Sequence, residues 1–192
     1  MKNIFYLILL VLAFGSCTKC NLKGDNVLSS DFDSYGDWEL YSEYSATDEF
    51  YSRIEDGVLK LKTAQEFTDC QRATHYFNDD FSAINGFQVC IQIKELRLPK
   101  KVDIQFYFSL GPYELHADIE KKNSTNTAVI FKVDDKGVSS NLKGALAGGL
   151  GNEIESDNYD TNFIQIALCP EDNEESTGEM YIEIESIEVS VL

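Results

Sequence analysis

The chain has 192 residues, 43% of them apolar, 12% aromatic and 26% charged, and a formal net charge of −17. That is the composition of a globular domain, not of a collagen-like or low-complexity chain, and the length suffices to bury roughly 70% of the unfolded surface. Sixteen Lys plus Arg against 33 Asp plus Glu, with no basic patch, exclude a nucleic-acid binder.

Lys2 precedes an unbroken apolar run over residues 4–14, too short for a transmembrane helix of about 20 residues and suited to the core of a signal peptide. Gly15 and Ser16 then place two small residues before Cys17. The segment resembles the lipobox of bacterial lipoproteins, with Phe14 in place of the usual aliphatic residue. The resemblance implies cleavage after residue 16, lipidation of Cys17 and a lipid-anchored place in the bacterial cell envelope, at the outer membrane. Secretion without a lipid and an uncleaved anchor are the alternatives. Losing residues 1–16 removes Lys2 and no acid, so membrane attachment would rest on the lipid and not on a basic face. Residues 17–26 then read as the lipidated N-terminus and tether, and 27–192 as one domain.

Beyond the tether, apolar residues recur at period two. Weaker runs at 38–41, 57–62 and 73–77 lead to a regular one in which Phe87, Val89, Ile91 and Ile93 oppose Gln88, Cys90, Gln92 and Lys94. Val102, Ile104, Phe106, Phe108 and Leu110 form the strongest set. After a Gly111-Pro112 turn, Tyr113, Leu115, Ala117 and Ile119 repeat it. Further runs at 129–133, 163–169 and 181–192 complete about ten strands separated by Asn, Asp, Gly and Ser clusters. Such a pattern predicts an all-β fold, a two-sheet antiparallel jelly-roll sandwich. Residues 141–160, glycine-rich and then acidic, read as a long surface loop; without a Walker-type lysine they are no phosphate cradle. Besides Cys17, the chain has Cys20, Cys70, Cys90 and Cys169, which allow three pairings in an oxidising compartment. Cys90 and Cys169 share an outward phase, which admits either a bridge between neighbouring strands or free thiols. No cysteine or histidine spacing suits zinc.

Asn26-Val27-Leu28-Ser29-Ser30-Asp31-Phe32-Asp33, then Trp38-Glu39-Leu40, then Ile54-Glu55-Asp56-Gly57-Val58-Leu59-Lys60-Leu61 resemble the opening of extracellular jelly-roll modules. The stretch from Met180 to Val189 is similar to their final strand. Concanavalin A-like lectin/laminin-G domains and galactose-binding-like carbohydrate modules share that outline. The resemblance implies a carbohydrate-binding role. It also implies a possible structural calcium, the only cofactor expected, at Asp33 and Glu185. Glu183-Ile184-Glu185-Ser186-Ile187-Glu188 further resembles the E-x-D-x-x-E catalytic strand of family sixteen glycoside hydrolases, with Glu185 for the central Asp. The apolar phase shifts at Ser186, and a bulge there would keep all three acids on one face.

Sugar recognition uses amides and carboxylates for hydroxyls and an aromatic face for the C–H surface of the ring. The outward row Gln88, Gln92, Gln105, Tyr107, Glu114 and His116 has that chemistry, and a 102–119 hairpin would make Tyr107 and His116 neighbours. Tyr35, Tyr41, Tyr44 and Tyr51 form a second candidate at a loop end, whereas Trp38 reads as core. His75 and His116 lie in strand patterns without a nucleophile elbow or a cysteine-protease signature. The expected function is therefore non-catalytic glycan binding by an envelope lipoprotein. The alternatives are a structural lipoprotein contacting another envelope protein, and a glycoside hydrolase-like enzyme.

Overall fold

Alternating burial runs through most of the described strands, which form two sheets. The computed structural model describes residues 20–33, 37–42, 51–63, 70–98, 102–119, 123–141, 146–148, 162–170 and 179–192. In chain order the strands are β1 (Asp25–Ser30), β2 (Glu39–Ser42), β3 (Tyr51–Glu55), β4 (Val58–Thr63), β5 (Gln71–Phe77), β6 (Gly86–Arg97) and β7 (Val102–Leu110). They continue as β8 (Tyr113–Ile119), β9 (Asn123–Asp134), β10 (Gly137–Ser140), β11 (Leu146–Gly148), β12 (Asn162–Pro170) and β13 (Met180–Val191). Sheet A has the order β10-β9-β6-β13-β4-β3, with β1 also pairing β13, and sheet B the order β11-β8-β7-β12-β5-β2. Every pairing is antiparallel. The architecture is the jelly-roll sandwich that the periodicity predicts.

The inward phases of the two sheets meet as one core. Phe87 and Phe131 of sheet A pack on Phe106 and Phe108 of sheet B, with ring centroids 5.9–6.3 Å apart. Each fully buried side chain of this size contributes about 1.5–3 kcal/mol. Trp38 is buried as expected, against Phe32 and His75, and its indole N–H donates to Ser30 Oγ at 3.2 Å. The β7–β8 hairpin turns at Gly111, where φ is 57° and a Cβ would meet the Phe81 carbonyl oxygen at 2.0 Å. Only glycine accepts both the left-handed backbone and the close approach. The Gly111 N–H donates to Asn162 Oδ1 at 2.8 Å, which ties the hairpin to the start of β12.

One edge of β13 is shared between two strands. β4 pairs with residues 180–184 and β1 with 187–191, and the ladder to β6 shifts register around Glu185. This bulge turns the inward phase from Ile182 and Ile184 to Ile187 and Val189, as the sequence phase shift at Ser186 predicts.

The cysteines correct one expectation. Cys90 lies in sheet A and Cys169 in sheet B, so they do not bridge neighbouring strands. Cys90 instead bonds Cys20, with Cα atoms 5.8 Å apart. Cys70 is also disulfide-bonded. Continuing the β5–β12 register one step past Gln71–Leu168 sets the Cys169 position opposite it. The segment read as a tether is thus held to β6 from Cys20, and β1 starts at Asp25. Within 141–160, Leu146–Gly148 is a short edge strand on β8 and not loop; residues 142–145 and 149–160 lie outside the described ones.

Candidate functional site

The outer face of sheet B is a grid whose rows follow from strand register. One row crosses the sheet as Glu114, Ser109, Phe163 and Tyr76, on β8, β7, β12 and β5. The next is His116, Tyr107, Gln165, Thr74 and Glu39, and the third runs through Gln105, Ala167, Arg72 and Tyr41. A groove of about 270 Å³ opens over the first two rows and reaches Arg72 of the third, with Tyr76, Tyr107, Glu114, His116, Phe163 and Gln165 also in its lining. That volume lies near the lower end of the range for small-ligand sites.

Aromatic surface and hydrogen-bonding groups alternate along the groove. Tyr107 and His116 stack with centroids 4.4 Å apart and planes 17° from parallel. The Tyr107 hydroxyl donates to Gln105 Oε1 at 2.9 Å, which fixes the ring and leaves the Gln105 Nε2 to donate elsewhere. Thr74 Oγ1 donates to Gln165 Oε1 at 3.4 Å, and Tyr76 lies 6.3 Å from Phe163, centroid to centroid. Among the described residues the exposed large hydrophobic side chains are Tyr41 at 50% and Tyr76 at 42%, and both sit on this face.

Four of the six side chains expected to act together are therefore brought together: Gln105, Tyr107, Glu114 and His116. The other two are not. Gln88 and Gln92 lie on β6, on the outer face of sheet A at the opposite side of the sandwich. Gln88 Oε1 there accepts the Lys23 backbone N–H at 3.0 Å, and Gln92 is buried. An outward phase identifies a surface residue but not which of the two outer faces it occupies. Arg72, Tyr76, Ser109, Phe163 and Gln165 were not singled out in the sequence. The available signal was Phe163, an aromatic in the outward phase of β12 beside Gln165.

The remaining candidates are scattered. Tyr41 is on sheet B, Tyr51 is buried on β3 beneath the Arg53 guanidinium, and Tyr35 and Tyr44 lie outside the described residues. His75 is half-buried, with Nδ1 2.6 Å from the Asp37 carbonyl oxygen and its ring against Phe77. Glu183, Glu185 and Glu188 are on β13 of sheet A, away from the groove. Glu183 is 9% exposed, hydrogen-bonded by the Tyr181 hydroxyl and 3.4 Å from Lys94 Nζ. Burial pushes its carboxyl pKa up, but Tyr181, Lys94 and Lys60 outweigh that and hold it below the ordinary value. Burial and the neighbouring carboxylate push the Tyr181 hydroxyl well up in turn.

Asp33 and Glu185 approach a common region. Asp33 Oδ1 and the Asp31 carbonyl oxygen lie 3.0 and 3.5 Å from where a Cβ on Gly57 would stand. Glu185 is exposed on the bulge between the β4-paired and β1-paired parts of β13, level with the end of β1 and the start of β4. Among the described residues no three His, Cys, Asp or Glu side chains cluster as metal ligands, so a calcium here would draw on carbonyl oxygens as well as these two carboxylates.

No family model and no curated protein matches the chain. Among solved structures it is similar to an uncharacterised protein from Mycobacterium paratuberculosis, with a TM-score of 0.52 and 12% identity over 84% of this chain and 99% of that one. It is also similar to a glycosyl hydrolase family protein from Mycobacterium fortuitum (TM-score 0.49, 13% identity, 86% and 99% covered). A third is a family 16 glycosyl hydrolase from Mycobacterium smegmatis (TM-score 0.49, 13% identity, 86% and 100% covered). Likeness at such identity is one of fold.

Proposed function

We propose that the chain is a lipid-anchored envelope protein that binds glycans, without cleaving them, through the outer face of sheet B. The observation that carries this reading is the grid itself: exposed aromatic faces interleaved with amide, hydroxyl and carboxylate groups on one rigid sheet. Tyr107 and Tyr76 offer the surface that the C–H face of a sugar ring packs against, while Gln165, Ser109 and Glu114 are placed for its hydroxyls. Among the described residues that line the groove, Glu114 is the one carboxylate, whereas glycoside hydrolysis by the usual route needs two. That favours binding over hydrolysis.

Export and lipidation at Cys17 complete the proposal. With Cys20 bonded to Cys90, two residues would separate the lipid from sheet A, about 10 Å of extended chain. The membrane would then lie on the side of sheet A and the groove on the far side. Labelling with a fatty-acid analogue tests the anchor, and a Cys17→Ala variant that labels as strongly as the parent refutes it. A glycan array tests the binding: a specific sugar signal that Tyr107→Ala abolishes supports it. An array without signal, together with co-purification of an envelope protein, would favour an assembly role instead.

A further inference from the structure

The groove carries opposite charges at its two ends, and only one of them has a counter-charge beside it. Arg72 is the one lysine or arginine on the strands of sheet B. It pairs with Tyr41, and the exposed Glu39, two residues earlier on β2, is its diagonal neighbour at about 7–8 Å. Glu114 stands three strands over and four positions along, about 20 Å from Arg72 by strand spacing and rise. It is half-buried in the groove lining, and no described lysine or arginine pairs with it. With 33 acids to 16 bases in the chain, an unpaired carboxylate on an exposed edge would mean little. One half-buried in a groove lined by aromatic rings is a specific placement of negative charge.

The residues around Glu114 have the chemistry of a cation site. Ser109 is directly opposite it on β7, with Cβ atoms about 5 Å apart, and both side chains line the groove. Phe163 is next in the same row, on β12, and Tyr107 is the diagonal neighbour of Glu114 on β7; both rings are in the lining. A cation over Ser109 would stand one strand, about 5 Å, from Phe163, within the about 6 Å over which an aromatic face attracts it. His116, two residues along β8 on the same face, has its ring stacked on Tyr107. The loop after Tyr76 adds no positive charge but Asp79 and Asp80, and Asn162 Nδ2 donates to the Asp79 carbonyl oxygen at 3.0 Å, which holds that loop beside the start of β12.

Resting on the glycan-binding reading, we infer that the groove selects an amino sugar whose free ammonium sits over Ser109 against the Glu114 carboxylate. An ammonium has three N–H donors, which the Glu114 and Ser109 oxygens accept, and its charge faces the Phe163 and Tyr107 rings. N-acetylation replaces it with a neutral, bulkier amide, and a ligand so modified desolvates Glu114 without supplying a counter-charge. The net negative charge of the chain draws any cation at long range, so the test must separate this one carboxylate from the overall field.

Calorimetric titration of the mature chain with matched probes, near neutral pH and at physiological salt, tests it. One pair is a glucosamine disaccharide as free amine and as N-acetyl form; the other is the same pair built from galactosamine. The expected result is that in at least one pair the free amine binds about tenfold tighter than its acetylated counterpart. In Glu114→Gln that ratio falls to near one. Glu188→Gln removes the same charge from the outer face of sheet A and leaves the ratio as it is in the parent. Equal affinity within both pairs, tighter binding of the N-acetyl forms, or a preference that survives in Glu114→Gln overturns the inference while leaving glycan binding intact. So does a preference that Glu188→Gln lowers as much as Glu114→Gln, which would assign it to the overall field. Binding of no probe of either kind overturns both.

Discussion

Removing the Cys20–Cys90 disulfide is the sharpest test of how the N-terminal segment is held. The bridge closes a loop of 70 residues in the unfolded chain. Chain entropy for a loop of that length gives a ceiling of about 4.4 kcal/mol. One feature lowers the expected value: residues 20–24, which precede β1, regain some freedom in the folded state once released. An effect of about 2–4 kcal/mol remains, and at about 2–4 °C per kcal/mol for a domain of this size the melting temperature should fall by roughly 5–15 °C. The variant is Cys20→Ala with Cys90→Ala, since Cys90 is fully buried and a lone thiol there could pair wrongly. Its melt is followed by circular dichroism without reductant. A shift of less than about 2 °C would refute the staple. Because Cys90 sits on sheet A, ligand binding at sheet B should be unchanged, and weaker binding would show that the two outer faces are coupled.

Calcium and acid provide the other tests. If Asp33 and Glu185 hold a calcium ion, saturating it at one hundred times its dissociation constant adds about 2.7 kcal/mol and raises the melting temperature by roughly 5–10 °C. Magnesium controls for relief of the net negative charge; equal shifts with both ions, or a calcium shift unchanged in Glu185→Gln, rule the site out. Glu183 has a carboxyl pKa held below its ordinary value, so its contribution is fully present above about pH 4.3 and disappears as pH falls through the lower folded-state value. Glu183→Gln should cost about 1–2 kcal/mol at pH 7 and nothing once the parent carboxyl is protonated, read from urea melts across pH. A cost independent of pH would mean that shape, not charge, sets it.

How much could be read from the chain depended on whether the information was local. β7 and β8 were legible to the residue, because alternation from Val102 to Leu110, a glycine turn and a second alternation specify a hairpin by themselves. The bulge on β13 was legible for the same reason, as a one-residue slip in apolar phase. The two faces of the sandwich were not. Gln88 and Gln105 have the same outward phase, and only strand order, set by pairings distant in sequence, puts them on opposite sides. Arg72 and Phe163 became site residues through the β5–β12 ladder, whose partners lie about ninety positions apart. β11 is three residues long, too short to show a period within its glycine-rich surroundings. Cys90 has an outward phase yet is fully buried and joined to Cys20, which a strand pattern alone does not reveal.

Amide shift mapping with a glycan identified on the array tests the central claim most directly, since it reports which face the ligand meets. Binding at the groove predicts perturbations centred on β5, β7, β8 and β12, largest near Arg72, Tyr107, His116 and Gln165, and absent in Tyr107→Ala. Perturbations centred on β6 and β13, around Gln92 and Glu188 on the outer face of sheet A, would contradict it.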